Sequence, residues 1–376
     1  MSKPSSFFTV HRTEIMSALA AVNEAIPSKD SIPILENVLL KPEGGRLLLR
    51  GTNLDIEIET RCELVSSDAE EGLTVAADDF YRIVKNMPET AEISFAPGKF
   101  PGQVEIKGGR SRFNLHTLPA SDFPSIGADL PPLAFSIPAS LLTEALGKVS
   151  YAINTTMKDR PFMMGVFVEA SPSGKLAFVA TNGLKLAACM VNPTEAQKFH
   201  PQILPTKTVQ AIRKLFGQSK AICTVYLNQR KMAIHCEDIS LVSKLIDGQF
   251  PDYSRVIPSK DQIFLRADRE ATSKAITRAC VISGDTSREA IKLGVDGNSM
   301  QIELATSDGQ SAAEMLDVEY DGDAHIRGFN GQFVNETLAS ISTSTFRLYG
   351  TDPSAPALFT PDSDADEIYL VTPIRV

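Results

Sequence analysis

Two hydrophobic rhythms alternate along this chain. Over Thr13–Ile26, Ile15, Leu19, Val22 and Ile26 fall on one face of a 3.6-residue helix, and Pro27 ends it. Further on the period drops to two. Leu54, Ile56 and Ile58 alternate with Asp55, Glu57 and Glu59, as in a strand with one buried face. Val38–Leu40, Arg46–Arg50 and Asp55–Thr60 are predicted strands. Asp78–Asn86 is a second amphipathic helix, with Asp78 or Asp79 near its N-cap and Pro88 just past its end. Ala91–Phe95, Val104–Lys107 and Arg112–Leu118 are further strands, and Gly44-Gly45 and Gly108-Gly109 are turns between strand pairs.

The same layout then returns twice. Phe8-Thr9-Val10, Phe135-Ser136-Ile137 and Phe264-Leu265-Arg266 each precede a helical run, beginning near Thr13, Ala139 and Asp268; the spacings are 127 and 129 residues. Asp122-Phe123-Pro124 returns as Gln249-Phe250-Pro251. Leu48 to Asn53 returns as Ala177 to Asn182, and weakly as Ile302 to Ser307. The second helix recurs at Thr206–Phe216 and Asn330–Ser342, and Leu141, Leu142, Ala145, Leu146, Val149 and Ile153 form the stripe of the middle copy's first helix. A repeat this long is a whole domain. Strands broken by two single helices indicate an α+β fold, each domain packing two helices on antiparallel sheet. The Pro-rich stretches at Asp129–Pro132 and Val256–Ser259 place domains at residues 1–132, 133–258 and 259–376.

Composition adds little to the fold and more to the function. Apolar residues make up 43% of the chain, enough for three cores without any Trp. The five cysteines form no C-x-x-C pair and read as reduced core or strand thiols. The N-terminus has no apolar signal region and no apolar run reaches membrane-spanning length, so the expected location is cytoplasmic. The net charge is −9, distributed as −6, +6 and −9 over the three repeats. Bulk attraction to nucleic acid needs an overall basic protein, but a basic middle repeat suits an anion.

No catalytic constellation is present. His11, His116, His200, His235 and His325 are scattered without metal spacing, and there is no phosphate loop or nucleophile elbow. Asp78-Asp79 reads as a helix N-terminus and Asp362–Glu367 as a solvated loop. No metal and no cofactor are expected. Several helices carry cations opposite their apolar stripes: Arg82 with Lys85; Lys207, Gln210 and Lys214, with Arg213 beside them; and Lys274 with Arg278. Lys148 stands alone, with Lys158 and Arg160 beyond its helix. Thr13–Ile26 and Asn330–Ser342 carry none. The pattern permits a phosphate-facing surface without establishing one. A triplicated body without motifs favours a scaffold over an enzyme.

Specific segments go further. Ser31 to Leu40, Gly51 to Glu57, Gly109 to Phe113, Thr117 to Pro124, Lys244 to Tyr253 and the terminal Pro373-Ile374-Arg375-Val376 resemble, in order, the beta subunit of bacterial DNA polymerase III, the replication sliding clamp. That resemblance covers essentially the whole chain. It implies a head-to-tail homodimeric ring of six domains whose helices line the hole around double-stranded DNA. By family position, Lys29, Arg82, Lys148, Arg160, Lys207, Arg213 and Lys274 are the DNA-proximal candidates. Lys29 stands where the family often has Arg, keeping the charge but not the planar fork.

The resemblance also implies one peptide pocket per chain. The DNA polymerase III alpha subunit, the clamp-loader delta subunit and other clamp-motif proteins share it. Its matching positions are Arg160, Met163, Thr181, Gly183, Leu184, Leu186, Pro251, Val256, Leu370, Thr372, Pro373 and Arg375. Two of them depart from the family: Leu184 stands where a His is common, and Thr372 replaces a flexible apolar lip. These departures motivate a specialised second clamp as the alternative reading. An enzyme on a triplicated scaffold and a structural oligomer that never touches DNA are the readings from other classes. For the dimer seam, Phe113 and Leu115 should meet Val281 and Ile282 of the other copy. The loop Ser307–Glu314 is less acidic than in the family, so the seam should lean on apolar contact and depend little on salt.

Overall fold

The computed structural model describes residues 7–68, 71–127, 129–156, 159–171, 173–258, 264–283 and 290–375. Lys158, Ser259 and Val376 lie outside them. The described residues contain six α-helices: α1 (Arg12–Val22), α2 (Ala77–Lys85), α3 (Ala139–Ser150), α4 (Thr206–Phe216), α5 (Arg269–Cys280) and α6 (Gly331–Ser340). Strands Phe8–His11, Leu133–Pro138 and Phe264–Asp268 run directly into α1, α3 and α5. The repeat extends to single hydrogen bonds. The first amides of these helices, on Arg12, Ala139 and Arg269, donate to Ala91, Ala221 and Ser344 carbonyls at 2.9, 2.9 and 2.8 Å. Arg12 also reaches the last-turn carbonyls of α2, Val84 at 3.2 Å and Lys85 at 3.1 Å, and satisfies groups that the helix leaves unpaired.

Several local expectations change. Helix α1 ends at Val22 rather than Ile26, and the next four residues form a tight turn that folds Ile26 over Gly51. A Cβ on Gly51 would stand 2.6 Å from the Ile26 side chain and 2.7 Å from the Val22 carbonyl, so only glycine admits this closure. Asp78 and Asp79 stand in the first turn of α2, near its N-cap as expected, but neither is the cap residue. The strand Leu73–Ala76 enters the helix directly, Ala76 is the cap residue, and Asp78 pairs with Arg82 one turn on. At α5 and α6 true caps occur: Asp268 accepts from Ala271 N at 2.7 Å and Asn330 from Phe333 N at 3.1 Å.

Among the described residues the strands form three antiparallel sheets of thirteen, eight and four. In the first, Ile239–Lys244 of the middle repeat pairs with Ile56–Ser67 of the first, setting Leu241 opposite Ile58. In the second, Lys185–Val191 of the middle repeat pairs with Glu367–Val371 of the third, setting Leu186 opposite Leu370. The middle repeat thus divides its strands between two sheets, because each edge strand gains backbone partners from a neighbouring repeat. Two compact units result. One comprises residues 1–140, 194–199 and 210–245; the other comprises 141–193, 200–209 and 246–376.

Each unit has its own aromatic core. In the first, Phe8 stacks on Phe95 at 4.4 Å and Phe80 meets Phe95 edge-on at 5.6 Å. In the second, Phe167 stacks on Phe250 at 4.6 Å. Cys62, Cys189, Cys223 and Cys236 are buried free thiols, and Cys280 is half-buried at the end of α5. The acidic stretch Asp362–Glu367 is not simply solvated. Both ends are buried in ion pairs: Asp362 between Arg266 and Arg347, and Glu367 against Lys148.

Candidate functional site

The site grows from a three-residue turn, Asn182 to Leu184, between strands Leu176–Thr181 and Lys185–Val191. Thr181 Oγ1 donates to the Lys185 carbonyl at 2.8 Å and accepts from Gly183 N at 3.1 Å. Asn182 Oδ1 accepts from Leu184 N and Lys185 N, both at 2.9 Å. Short polar side chains thus satisfy the turn locally. Gly183 sits at φ +85°, a left-handed conformation that glycine adopts without cost. The turn leaves Leu184 48% exposed, while its neighbour Leu186 is buried.

Beneath this turn lies a cleft of about 230 Å³ in the second unit. Buried Met163, Leu186 and Leu370 form its floor, and exposed Leu184 and Val256 stand at its mouth. Thr181, Gly183, Pro251 and Thr372 also line it. Nine of the twelve sequence-predicted pocket residues therefore converge on one cavity. Arg160, Pro373 and Arg375 lie outside its lining; Arg160 and Arg375 are exposed and Pro373 is half-buried. The lining adds Lys185, Asp252, Tyr253 and Pro356. Asp252 and Tyr253 directly follow Pro251 in a segment that the resemblance already singles out. Pro356 carries no sequence signal, because only the hairpin between strands Thr345–Tyr349 and Ala357–Pro361 brings it here.

Few polar groups interrupt the walls. The Lys185 ammonium turns away to Glu336 of α6 and lies over the rings of Phe333 and Tyr151, at 4.8 and 5.1 Å from their centroids. Tyr253 donates its hydroxyl to Glu169 at 2.6 Å, and burial together with that carboxylate pushes its pKa well above the usual phenol range. Leu184 O accepts from Thr372 N at 2.8 Å, which fastens the C-terminal segment to the turn. The result is an apolar cleft without a nucleophile, a poised base or a ligand cluster; among the described residues no group of three metal-binding side chains exists. Such a lining suits apolar side chains.

The predicted cations are distributed differently. Lys29, Arg82, Arg160, Lys207, Arg213 and Lys274 are exposed. Arg82 pairs with Asp78 and Lys274 with Glu270, each within its own helix. Lys148 differs in kind. Its side chain is 15% exposed and its ammonium lies 2.7 Å from Glu144 and 2.6 Å from Glu367, so its charge is already answered within the protein. Of the predicted seam residues, Phe113 is 36% and Val281 74% exposed, while Leu115 and Ile282 are half-buried. Phe113 and Leu115 lie on Ser111–His116, an edge strand of the thirteen-stranded sheet. The stretch read as the loop Ser307–Glu314 becomes strand from Ser311 on, and Glu314 pairs with Arg278 of α5. No helix among the described residues is long and apolar enough to cross a membrane.

Comparison with known proteins agrees along the full chain. Residues 6–127, 136–252 and 254–375 match the models of the N-terminal, central and C-terminal domains of the DNA polymerase III beta subunit. The beta sliding clamp of Caulobacter vibrioides is 32% identical over 372 residues, covering 98% of this chain and 99% of the relative. That of Escherichia coli K12 is 30% identical over 370 residues, covering 98% and 100%. The crystal structure of the C. crescentus clamp superposes with a TM-score of 0.93 at 31% identity, covering 98% of each chain. The Pseudomonas aeruginosa clamp bound to griselimycin gives 0.92 at 31% identity, covering 98% and 99%. This triplicated α+β body with its apolar cleft is therefore, by sequence and by fold, a member of the DNA polymerase III beta subunit family, the non-catalytic beta sliding clamps of DNA replication.

Proposed function

We propose that two copies of this chain close into a ring around duplex DNA and hold the replicative polymerase on its template. The apolar cleft is the observation that carries the partner half of this reading. It would bury the anchor side chains of a short peptide motif, and its exposed lips, Leu184 and Val256, would close over them. We assign to it the DNA polymerase III alpha subunit, the clamp-loader delta subunit and other clamp-motif proteins, bound in turn. Griselimycin, which is bound by the P. aeruginosa clamp, is a ready ligand with which to probe this cleft. Division at residues 132/133 and 258/259 gives the ring its domains, and the seam pairs Phe113 and Leu115 with Val281 and Ile282 of the other copy. The site of action is the cytoplasm.

The DNA half follows from charge. A ring retains DNA by topology, so tight or base-specific contacts would only impede movement. Exposed Lys29, Arg82, Arg160, Lys207, Arg213 and Lys274 supply weak phosphate contacts on a chain of net charge −9. Lys148, already paired, supplies none.

The deciding experiment loads the protein on nicked circular plasmid with a matched clamp loader and ATP, then gel-filters it before and after linearisation. Comigration that is lost on cutting is the expected result. Equal retention on circle and line would mean ordinary affinity binding and would end the ring reading.

Leu184 and Thr372 both line the cleft, which favours a second reading: a specialised clamp with an altered partner set. Ordinary affinity for both polymerase and repair peptides would dispose of it.

A further inference from the structure

Arg327 is the bulkiest fully buried side chain among the described residues, 1% exposed, on strand His325–Asn330. Carbonyls rather than a carboxylate receive its guanidinium. One terminal nitrogen donates to Gly350 O at 2.7 Å and the other to Ala355 O at 2.6 Å. The guanidinium lies 5.2 Å from the centroid of Phe329, and its Nε has no acceptor among the described residues. Burial lowers its pKa to about 10, so the side chain is still charged at neutral pH. A buried cation hydrogen-bonded to carbonyls, with no carboxylate in direct contact among the described residues, is a costly arrangement.

What it grips accounts for the arrangement. Gly350 and Ala355 are the two feet of the loop between strands Thr345–Tyr349 and Ala357–Pro361. Gly350 is left-handed, at φ +88°. The residue after Ala355 is Pro356, which lines the cleft. The four residues between the feet are exposed; Asp352 accepts from Ser354 N and Oγ at 2.8 and 2.7 Å, and its charge also favours the charged form of Arg327. The same strand also steadies the opposite wall. Gly328 O accepts from Ile374 N at 2.8 Å, two residues beyond the cleft-lining Thr372.

We propose that Arg327 is a positioning residue of the cleft: its planar fork pins both feet of the 350–355 loop and so sets the place of Pro356 against bound ligand. The inference rests on the reading of the cleft as the partner site. Lysine would not replace it, because a single ammonium lacks the two parallel donors.

The test compares full-length wild type, Arg327→Met and Arg327→Lys in two ways. Amide exchange is followed by mass spectrometry over residues 350–356 without ligand, and affinity is measured for griselimycin and for purified polymerase alpha subunit. Arg327→Met should accelerate exchange in that loop alone, by about tenfold, and weaken both probes by roughly tenfold, mostly through faster release. Arg327→Lys, which keeps the charge and so guards against failure to fold, should show the same two effects more weakly. Unchanged loop exchange overturns the proposal while the cleft reading stands, as does faster exchange with unaltered affinity for either probe. Wild type that binds neither probe removes the cleft reading, and this inference falls with it.

Discussion

Leu54 and Gly183 hold the same place in the same turn, at φ 70° and 85°. Thr52 and Asn53 bond their turn as Thr181 and Asn182 bond theirs. Thr52 Oγ1 donates to Ile56 O at 2.9 Å, and Asn53 Oδ1 accepts from Asp55 N at 3.0 Å and Ile56 N at 2.8 Å. The third copy closes Thr306 onto Gln310 with Gly309 as its left-handed residue. One copy therefore holds a leucine where backbone geometry favours glycine. The copy at the cleft has the glycine.

The two positions should respond unequally to substitution. Gly183→Ala meets no steric neighbour, so its cost is backbone strain alone, about 1–2 kcal/mol, with weaker griselimycin binding as the turn shifts. Leu54→Gly relieves comparable strain but frees the unfolded chain, and should fall within about 1 kcal/mol of wild type. Urea titration of both variants measures the contrast; equal effects would remove the conformational argument.

Lys148→Met should destabilise the protein by about 3 kcal/mol, because it leaves Glu367, 5% exposed, buried beside Tyr369 without its cation. The pH dependence has a definite sign. Burial alone lowers the Lys148 pKa, but hydrogen bonds and charge from Glu144 and Glu367 outweigh it and the net shift is upward from 10.5. The stabilisation is therefore complete below about pH 10.5 and fades as pH climbs through the higher folded value. Unfolding of wild type and variant from pH 7 to 11 should show the gap narrowing only at the alkaline end.

Lys207→Glu with Arg213→Glu should lower the slope of log affinity against log salt for duplex DNA by about 2, one unit for each lost phosphate contact. Lys148→Met should leave that slope alone. Fluorescence anisotropy over a salt series separates the two. A slope lowered by Lys148→Met would return that residue to the DNA-facing set.

Val281→Asp places a charge on the most exposed large apolar residue at the expected seam, 74% exposed in the single chain. Sedimentation should show monomers for this variant. The wild-type dimer should persist from low to high salt, as an apolar seam requires. Dissociation of wild type with rising salt would assign the seam to ion pairs instead.

Much of the architecture was readable because it is local. Helical faces, alternating strands, the Gly44-Gly45 turn (φ 59° and 80°) and the helix starts near Asp268 and Asn330 depend on neighbours a few residues away. The cleft was readable in part. Pro251 sits in a segment that carries the family likeness, and Met163, Thr181, Gly183, Leu184, Leu186, Val256, Leu370 and Thr372 follow from family position alone, whereas Pro356 arrives through a loop with neither signal. Asp362–Glu367 reads in sequence as a solvated loop, because acidic residues in a row look alike until their partners are known.

The chain alone determined the threefold repeat, the α+β character and the family likeness, since these are written in periodicity and short motifs, and most of the cleft's lining followed only from what that likeness implies. Tertiary structure decided how the middle repeat shares its strands between two sheets, since edge pairing depends on which strands meet. It also gave Lys148 to Glu367, 219 residues away, and Arg327 to the carbonyls of Gly350 and Ala355. A charge looks the same in sequence whether it faces phosphate, carboxylate or carbonyl; its role is set by burial and by the partner within about 3 Å, and only the fold supplies both.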